Sequence, residues 1–353
     1  MDLIDTLNHK ALKGTGISAS DALELFIEGA GSPYRVFAAA SELREQFKGR
    51  NIVLCGIINA KSGRCSEDCR FCAQSSHYPT DVPSYPLKPA RQMIAEAVQA
   101  KKDGAEFFGI VTSGKLVKTK KEWTEIFKAI EGMNKIGISP CASLGMINLE
   151  RARELKTAGL YRYHHNLETA RSFFKNICTT HDYEENIDTI RNAKTAGLSV
   201  CAGTLIGMGE SVTHRIELAA ALRNLNVDSI PINILNPIKG TPLDHLRPLP
   251  PMEILMTIAM FRFMLPDKDI KLCGGKEKNL KQLLPLGIIA GANSLMTGNY
   301  LTTTGRDSKL DHEMIIDLGL VPTRELNICR CGMEGENDCG SVSLKRKKKS
   351  SHP

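Results

Sequence analysis

Apolar and polar positions along this chain fall into a recurring unit. A polar, helix-like stretch ends at a Gly, and a short run rich in apolar and β-branched residues follows. "KKDGAEFFGIVTSG" shows the unit at Gly104, "NKIGISPCASLG" at Gly137, "KTAGLYRYHHNLE" at Gly159 and "KTAGLSVCAGTLIG" at Gly197. Gly just past a helix end suits a left-handed cap, after which the chain can extend into a strand. The spacings vary, so these are strand–helix units and not a fixed-period repeat.

The pattern predicts eight strands, over residues 52–59, 106–112, 138–143, 161–167, 199–206, 229–235, 269–274 and 294–297. Helical segments separate them: "ARQMIAEAVQAKK", "EWTEIFKAIEGMNK", "NLERARELKTA", "YEENIDTIRNAKTA", "HRIELAAALRNL", "MEILMTIAMFRFML" and "KNLKQLLPLGIIAGA". Such alternation implies an α/β fold with a parallel sheet. Eight units close naturally into a (β/α)8 TIM-type barrel. An open doubly wound sheet would need fewer strands, or a Gly-rich dinucleotide turn after the first strand. Residues 1–50 read as an N-terminal helical cap, residues 51–320 as the barrel, and residues 321–353 as a Cys-rich tail with a basic end.

Composition narrows the function classes. The net charge is +7, but "KRKKK" at Lys345–Lys349 supplies five of those charges and leaves +2 for the rest. That run reads as a solvated tail, with contact to a nucleic acid or an acidic surface as the alternative. The chain has one Trp and no basic–aromatic stripe, so no nucleic-acid partner is expected for the body. The N-terminus does not read as a secretory signal, and no apolar run reaches the roughly 18 residues of a membrane helix. Eleven cysteines without such a signal point to a reducing, cytoplasmic setting. There, thiols are metal ligands, catalytic groups or buried packers more often than disulfides.

Three of these cysteines crowd one stretch. In "GRCSEDCRFCAQS", Cys65, Cys69 and Cys72 are spaced C-x3-C-x2-C directly after the first strand. Iron–sulfur clusters are usually held by four thiolates. Three local ones can hold a [4Fe–4S] cubane and leave one iron open to a substrate or cofactor. The alternative is a zinc site completed by His77. Phe71, directly before the last Cys, can shield a cluster from water.

This aromatic-containing motif on the loop after the first strand resembles the signature of radical S-adenosylmethionine (SAM) enzymes. The resemblance implies that SAM binds the open iron and yields a 5′-deoxyadenosyl radical. "NAKSGRCSEDCRFCAQSSHY", "YHHNLET", "GLSVCAGTLIGMGE", "SIPINILNPIKGTPL" and "GANSLMTGNYLTT" together resemble the biotin synthase family, over roughly residues 52–320. That resemblance implies dethiobiotin as substrate, reduced flavodoxin or ferredoxin as electron donor, and a homodimer. It places Asn166 and Asn233 near substrate and SAM. It also places Glu168, usually Asp in the family, and the Gly207, Gly209 and Glu210 of "GMGE" beside SAM.

The chain departs from the family's pattern in its second cluster. The family holds a [2Fe–2S] cluster by three cysteines on separate strands and one arginine. Two of the cysteines are matched, by Cys141 and Cys201. The strand-two position falls on Phe108 or Gly109, and the arginine position on Lys271. Lys must lose a proton to coordinate, which makes it a poor substitute. The tail offers Cys329, Cys331 and Cys339 as C-x-C-x7-C. Cys273 shares strand-face parity with Lys271. The expectation is an auxiliary iron–sulfur cluster larger than [2Fe–2S], held by tail cysteines and one or more of Cys141, Cys201 and, more weakly, Cys273 and Lys271. A zinc clip and free surface thiols are the alternatives for the tail. Cys55 and Cys178 carry no spacing signal and read as core or incidental residues. Two other functions stay open at this point. One is a radical SAM mutase or lyase of the methylornithine synthase type, and the other is an iron–sulfur carrier or redox sensor.

Overall fold

Each Gly-ended unit becomes a helix, a left-handed turn and a strand. Gly104, Gly137, Gly159 and Gly197 have φ of +82°, +71°, +91° and +77°, the region open to Gly at no steric cost. The computed structural model describes residues 2–303 and 305–324. The tail cysteines Cys329, Cys331 and Cys339 and the Lys-rich run lie outside the described residues.

The staves are β1 (Asn51–Lys61), β2 (Phe107–Thr112), β3 (Ser139–Ser143), β4 (Arg162–His164), β5 (Ser199–Cys201) with its continuation β6 (Thr204–Ile206), β7 (Ser229–Ile234), β8 (Asp269–Leu272) and β9 (Ser294–Met296). All pair in parallel, and β1 bonds both β2 and β9, which closes an eight-stave barrel. Three helices precede it: α1 (Leu3–Ala11), α2 (Ala19–Gly29) and α3 (Pro33–Lys48). The outer ring comprises α4 (Ala90–Lys102), α5 (Lys120–Lys135), α6 (Leu149–Thr157), α7 (Arg171–Phe174), α8 (Tyr183–Thr195), α9 (Val212–Asn224), α10 (Pro251–Met264), α11 (Lys276–Leu280), α12 (Leu284–Ile289) and α13 (Ser308–Asp317). After α13, β10 (Val321–Pro322) pairs with the first residues of β1, Asn51 and Ile52. The chain therefore leaves the described region at the N-terminal face, opposite the mouth.

Local chemistry sets the element ends. Thr119 and Glu122 form a capping box at α5, and Ser18 and Asp21 form one at α2. α10 is buried on every face from Ile254 to Met264. The N-terminal helices explain this, since α2 and α3 pack over α10 on the barrel's flank. The Ile17 amide donates to Phe263 O at 3.1 Å, and Arg223 Nη1 donates to Ile17 O at 2.8 Å.

Two elements differ from the sequence expectation. The 199–206 strand breaks at Ala202–Gly203, where a Cβ on Gly203 would stand 2.0 Å from Pro231 O. The helix expected across 278–292 is α11, a 3-10 turn (Lys281–Leu283) and α12. Pro285 starts α12, and Lys281 has a φ of +52°, so the chain restarts there instead of running on.

Arg262 on α10 is fully buried without a carboxylate at bonding distance. Its guanidinium donates to Gly291 O (2.8 Å), Pro266 O (2.9 Å), Lys268 O (2.8 Å) and Asn293 Oδ1 (2.9 Å). Burial lowers its pKa to about 9, so it stays charged at neutral pH. It ties together the turns that feed β8 and β9. Arg262→Leu strands four acceptors, and we expect a stability loss of about 3 kcal/mol, read as a lower urea midpoint of the cluster-free chain. An unchanged midpoint contradicts this role.

Candidate active site and metal centre

The parallel staves put all their C-terminal ends at one mouth, and the three-cysteine loop leaves β1 there. Backbone bonds fold the loop on itself. The Cys65 amide donates to Gln74 O at 3.0 Å, the Ser76 amide to Cys65 O at 2.8 Å, and the Cys72 amide to Cys69 O at 2.9 Å. Asp68 then docks it onto residues 178–180, accepting from the Thr179 and Thr180 amides at 2.8 and 3.2 Å. These bonds hold the Asp68 carboxyl well below the usual carboxylate range, although burial opposes them. Phe71 lines the cavity below the loop.

The loop fits a cluster better than a single ion. Burial raises the thiols of Cys65 and Cys72, the latter to about 11, so bare thiols stay protonated until iron displaces the proton. Cys65, Cys69 and Cys72 do not form a set with every ligand atom within 4.8 Å of the others. One tetrahedral ion needs such closeness; a cubane, with each thiolate on its own iron, does not. His77, the residue that would complete a zinc site, is exposed and has its Nε2 3.0 Å from Ser66 O.

Beside the loop, β4 and its neighbours deliver the polar residues. Asn166, Glu168 and Asn233 all line the cavity. Asn166 Oδ1 accepts from the Gly203 amide (3.0 Å), and its Nδ2 faces Glu168 Oε2 (3.3 Å). Asn233 is braced by Gly274 N (3.1 Å) and Thr204 O (3.2 Å). Glu168 has a φ of +63°, unusual for a non-Gly residue. Its carbonyl is held by the Leu205 amide and the Thr204 hydroxyl, both at 2.9 Å. Burial raises the Glu168 carboxyl to about 7, and its charge reaches Cys69 and Cys72.

Glu210 behaves differently from the sequence expectation. It is buried away from the cavity, and its carboxylate accepts from the amides of Gly207 (2.9 Å) and Met208 (2.7 Å) and from Arg215 Nε (2.7 Å). Gly207 and Gly209 take φ of +93° and +97° to wrap this turn. Glu210 thus shapes the "GMGE" turn and has no oxygen free to face a cofactor.

The cavity below the mouth holds about 350 Å³ and runs down to a nest of thiols. Cys141, Cys201, Cys273 and Lys271 line it, and so does Cys55, which the sequence reading assigned to the core. Gly109, not Phe108, occupies the lumen position of β2. It pairs with Cys141, and a Cβ built on it would lie 3.9 Å from Cys141 Cβ. Phe108 is buried in the outer core instead. Lys271 Nζ stands 4.0 Å from Cys201 Sγ, and His164 Nδ1 stands 3.3 Å from it. Burial opposes ionisation of Cys201, but Lys271 and His164 outweigh it and bring the thiol down to about 6. Cys141 lacks so close a cation, and burial pushes it up to about 12.

Several site residues escaped the sequence reading. Arg162 and His164 alternate with Asn166 along one strand face, a parity signal that could have found them. Arg162 stacks 4.6 Å over the Phe107 ring and donates to Ser199 Oγ at 3.0 Å. Tyr300 closes the far side, its hydroxyl 2.9 Å from Lys276 Nζ; no spacing marked it. Cys178, also assigned to the core, lies beside Cys69 and His181.

The raised pKa of Glu168 makes a pH prediction. Its folded value, about 7, exceeds the ordinary 4.5, so the folded chain binds the proton more tightly than the unfolded one. Stability should therefore fall as pH rises from about 4.5 to about 7, by roughly 2 kcal/mol from this group. Glu168→Gln should remove that part of the fall, measured by urea unfolding of the cluster-free chain at pH 5 and pH 7.5. Equal pH dependence in both proteins contradicts the assignment.

Comparison with known proteins agrees with this arrangement. Residues 60–222 match the profile of the Radical SAM superfamily, and residues 231–321 match the Biotin and Thiamin Synthesis associated domain. The chain is 50% identical over 318 residues to the biotin synthase of Geotalea daltonii, covering 90% of this chain and 97% of that one. The Geobacter sulfurreducens biotin synthase is 49% identical over 317 residues, covering 90% and 96%. In fold, the chain resembles methylornithine synthase (TM-score 0.77, 20% identity, 90% of this chain and 97% of that chain). It also resembles HydG, a maturase of the [FeFe]-hydrogenase (TM-score 0.78, 16% identity, 91% and 75%). With half of all residues shared across nearly the full length of its relatives, the chain belongs to the biotin synthase family of radical SAM enzymes.

Proposed function

We propose that the cavity seats dethiobiotin between the three-cysteine loop and the lumen thiols, with an auxiliary iron–sulfur cluster below it as sulfur donor. The chain is a radical SAM enzyme whose reaction is sulfur insertion into dethiobiotin, as its family membership establishes. The observation that carries the residue assignment is the single cavity. It joins Phe71 at the loop to Cys141, Cys201 and Cys273 in the lumen.

Cys65, Cys69 and Cys72 hold the [4Fe–4S] cluster in this reading, and with SAM it supplies the radical that removes hydrogen from unactivated carbon. No side-chain base can deprotonate such carbon, so the chain's own residues position and enclose. Asn166 and Asn233 are fixed by backbone bonds and present amides toward SAM and substrate. Glu168, poised near neutral pH, accepts from hydroxyl or amino groups of SAM. Phe71, Leu205 and Leu235 exclude water around them.

The lumen holds the sulfur source. Cys201, ionised with help from Lys271 and His164, is the readiest metal ligand there. Lys271 acts as a counter-charge in this reading and not as a ligand. Gly109 leaves room where the family has a third cysteine, and the tail thiols Cys329, Cys331 and Cys339 take up that function. β10 starts the tail at the N-terminal end of β1, from which it can enter the barrel's bottom. Reduced flavodoxin or ferredoxin supplies the electron, the chain acts as a homodimer, and it works in the cytoplasm. Among the described residues no helix is long and apolar enough to cross a membrane.

Two sets of variants separate the clusters. Ala at Cys65, Cys69 or Cys72 should abolish reductive SAM cleavage, read as loss of 5′-deoxyadenosine. Ser at Cys329, Cys331 and Cys339 together should keep 5′-deoxyadenosine formation, lower iron content and stop biotin formation. A triple variant with full iron and normal biotin output makes the tail thiols bystanders. A rearranged amino acid in place of biotin would overturn the sulfur-insertion assignment.

A further inference from the structure

Cys178 has no part in the chemistry above, yet it sits in a set of three metal-ligating side chains. It follows α7 and is 1% exposed. Its Sγ lies 3.1 Å from His181 Nδ1 and 3.2 Å from Asp68 Oδ1. Among the described residues, Cys69, Cys178 and His181 are the set whose ligand atoms all lie within 4.8 Å of one another. Two thiols and one imidazole make a three-donor set of the kind that borderline-soft divalent ions accept with a fourth position left open. With metal–donor bonds of roughly 2.0–2.3 Å, tetrahedral donors stand about 3–4 Å apart. The Cys178–His181 separation lies in that range.

The surroundings are built as well. The Thr180 hydroxyl donates to Glu67 Oε2 at 2.9 Å, and Glu67 Oε2 lies 2.7 Å from His181 Nδ1. The Thr179 and Thr180 amides fix Asp68. Glu67 meets the same ring nitrogen that faces Cys178, so an ion bound through that nitrogen takes the place of the Glu67 contact. The His181 and Glu67 side chains are 10% and 9% exposed. Two carboxylates and two thiols thus surround one imidazole in a nearly closed space.

We propose that the cluster-free chain binds one zinc or ferrous ion through Cys69, Cys178 and His181, with the fourth position open to solvent. Cys69 belongs also to the three-cysteine loop, so this ion and the cubane exclude each other. An ion held here blocks cluster assembly until it is removed. The proposal deepens the cluster reading in one respect alone, the sharing of Cys69.

The test uses the full-length, cluster-free protein without oxygen, titrated with Co²⁺ as a spectroscopic stand-in. Tetrahedral thiolate cobalt gives intense visible bands. The wild type and the Cys65→Ser/Cys72→Ser double variant should both show them. Cys178→Ser and His181→Gln should weaken the binding at least tenfold, with unfolding midpoints near wild type to exclude misfolding. In a second arm, one equivalent of Zn²⁺ is added before iron and sulfide. Cubane yield should fall severalfold in the wild type and much less in Cys178→Ser. Cobalt bands that survive Cys178→Ser but vanish in the double variant place the ion on the three-cysteine loop and overturn the proposal. Bands unaffected by any of these changes overturn it too. The cluster reading fails separately, if the double variant builds a normal cubane without zinc.

Discussion

The pairing of β1 on both sides is the constraint from which the site follows. Val53, Leu54 and Cys55 align with Ser294, Leu295 and Met296 of β9, while residues from Cys55 to Lys61 align with β2. That double pairing turns a parallel sheet into a closed ring with one lumen. It also fixes two ends. The C-terminal end of β1 launches the three-cysteine loop over the mouth, and its N-terminal end receives β10 and the start of the tail. One cavity inside the ring reaches from Phe71 at the loop to Cys141, Cys201 and Cys273.

Charge placement inside the ring is the second theme. A thiol in an apolar lumen resists ionisation, as Cys141 does. One ammonium and one imidazole change this for Cys201 alone. Lys271 therefore places a positive charge in the lumen without the planar fork of an arginine. At the mouth the logic reverses. Asp68 is held ionised by amides and hydroxyls and anchors the loop, whereas burial of Glu168 outweighs the nearby His164 and His181 and raises its carboxyl to about 7.

Much of this was legible in the chain. The Gly-ended units marked β2 to β5 because a left-handed cap favours Gly, and the β-rich runs marked the remaining staves; both signals are local. The three-cysteine motif was legible because cluster ligation needs a fixed short spacing. What escaped depends on contacts remote in sequence. Gly203 breaks a strand because of Pro231, and Cys178 meets Cys69 only because the loop docks on residues 178–181. Cys55 looked like packing because strands hide which face turns inward until the register is known. Glu210 looked like a cofactor ligand because its motif does not reveal that Arg215 and two amides already occupy its oxygens.

The account's central claim is that sulfur held inside the barrel meets a radical formed at its mouth. The most direct measurement is one turnover of chain reconstituted with isotopically labelled sulfide, given SAM, reductant and dethiobiotin, with the product read by mass spectrometry. The account predicts biotin carrying the label, formed together with 5′-deoxyadenosine. Unlabelled biotin, or 5′-deoxyadenosine with dethiobiotin left unconverted, would contradict it.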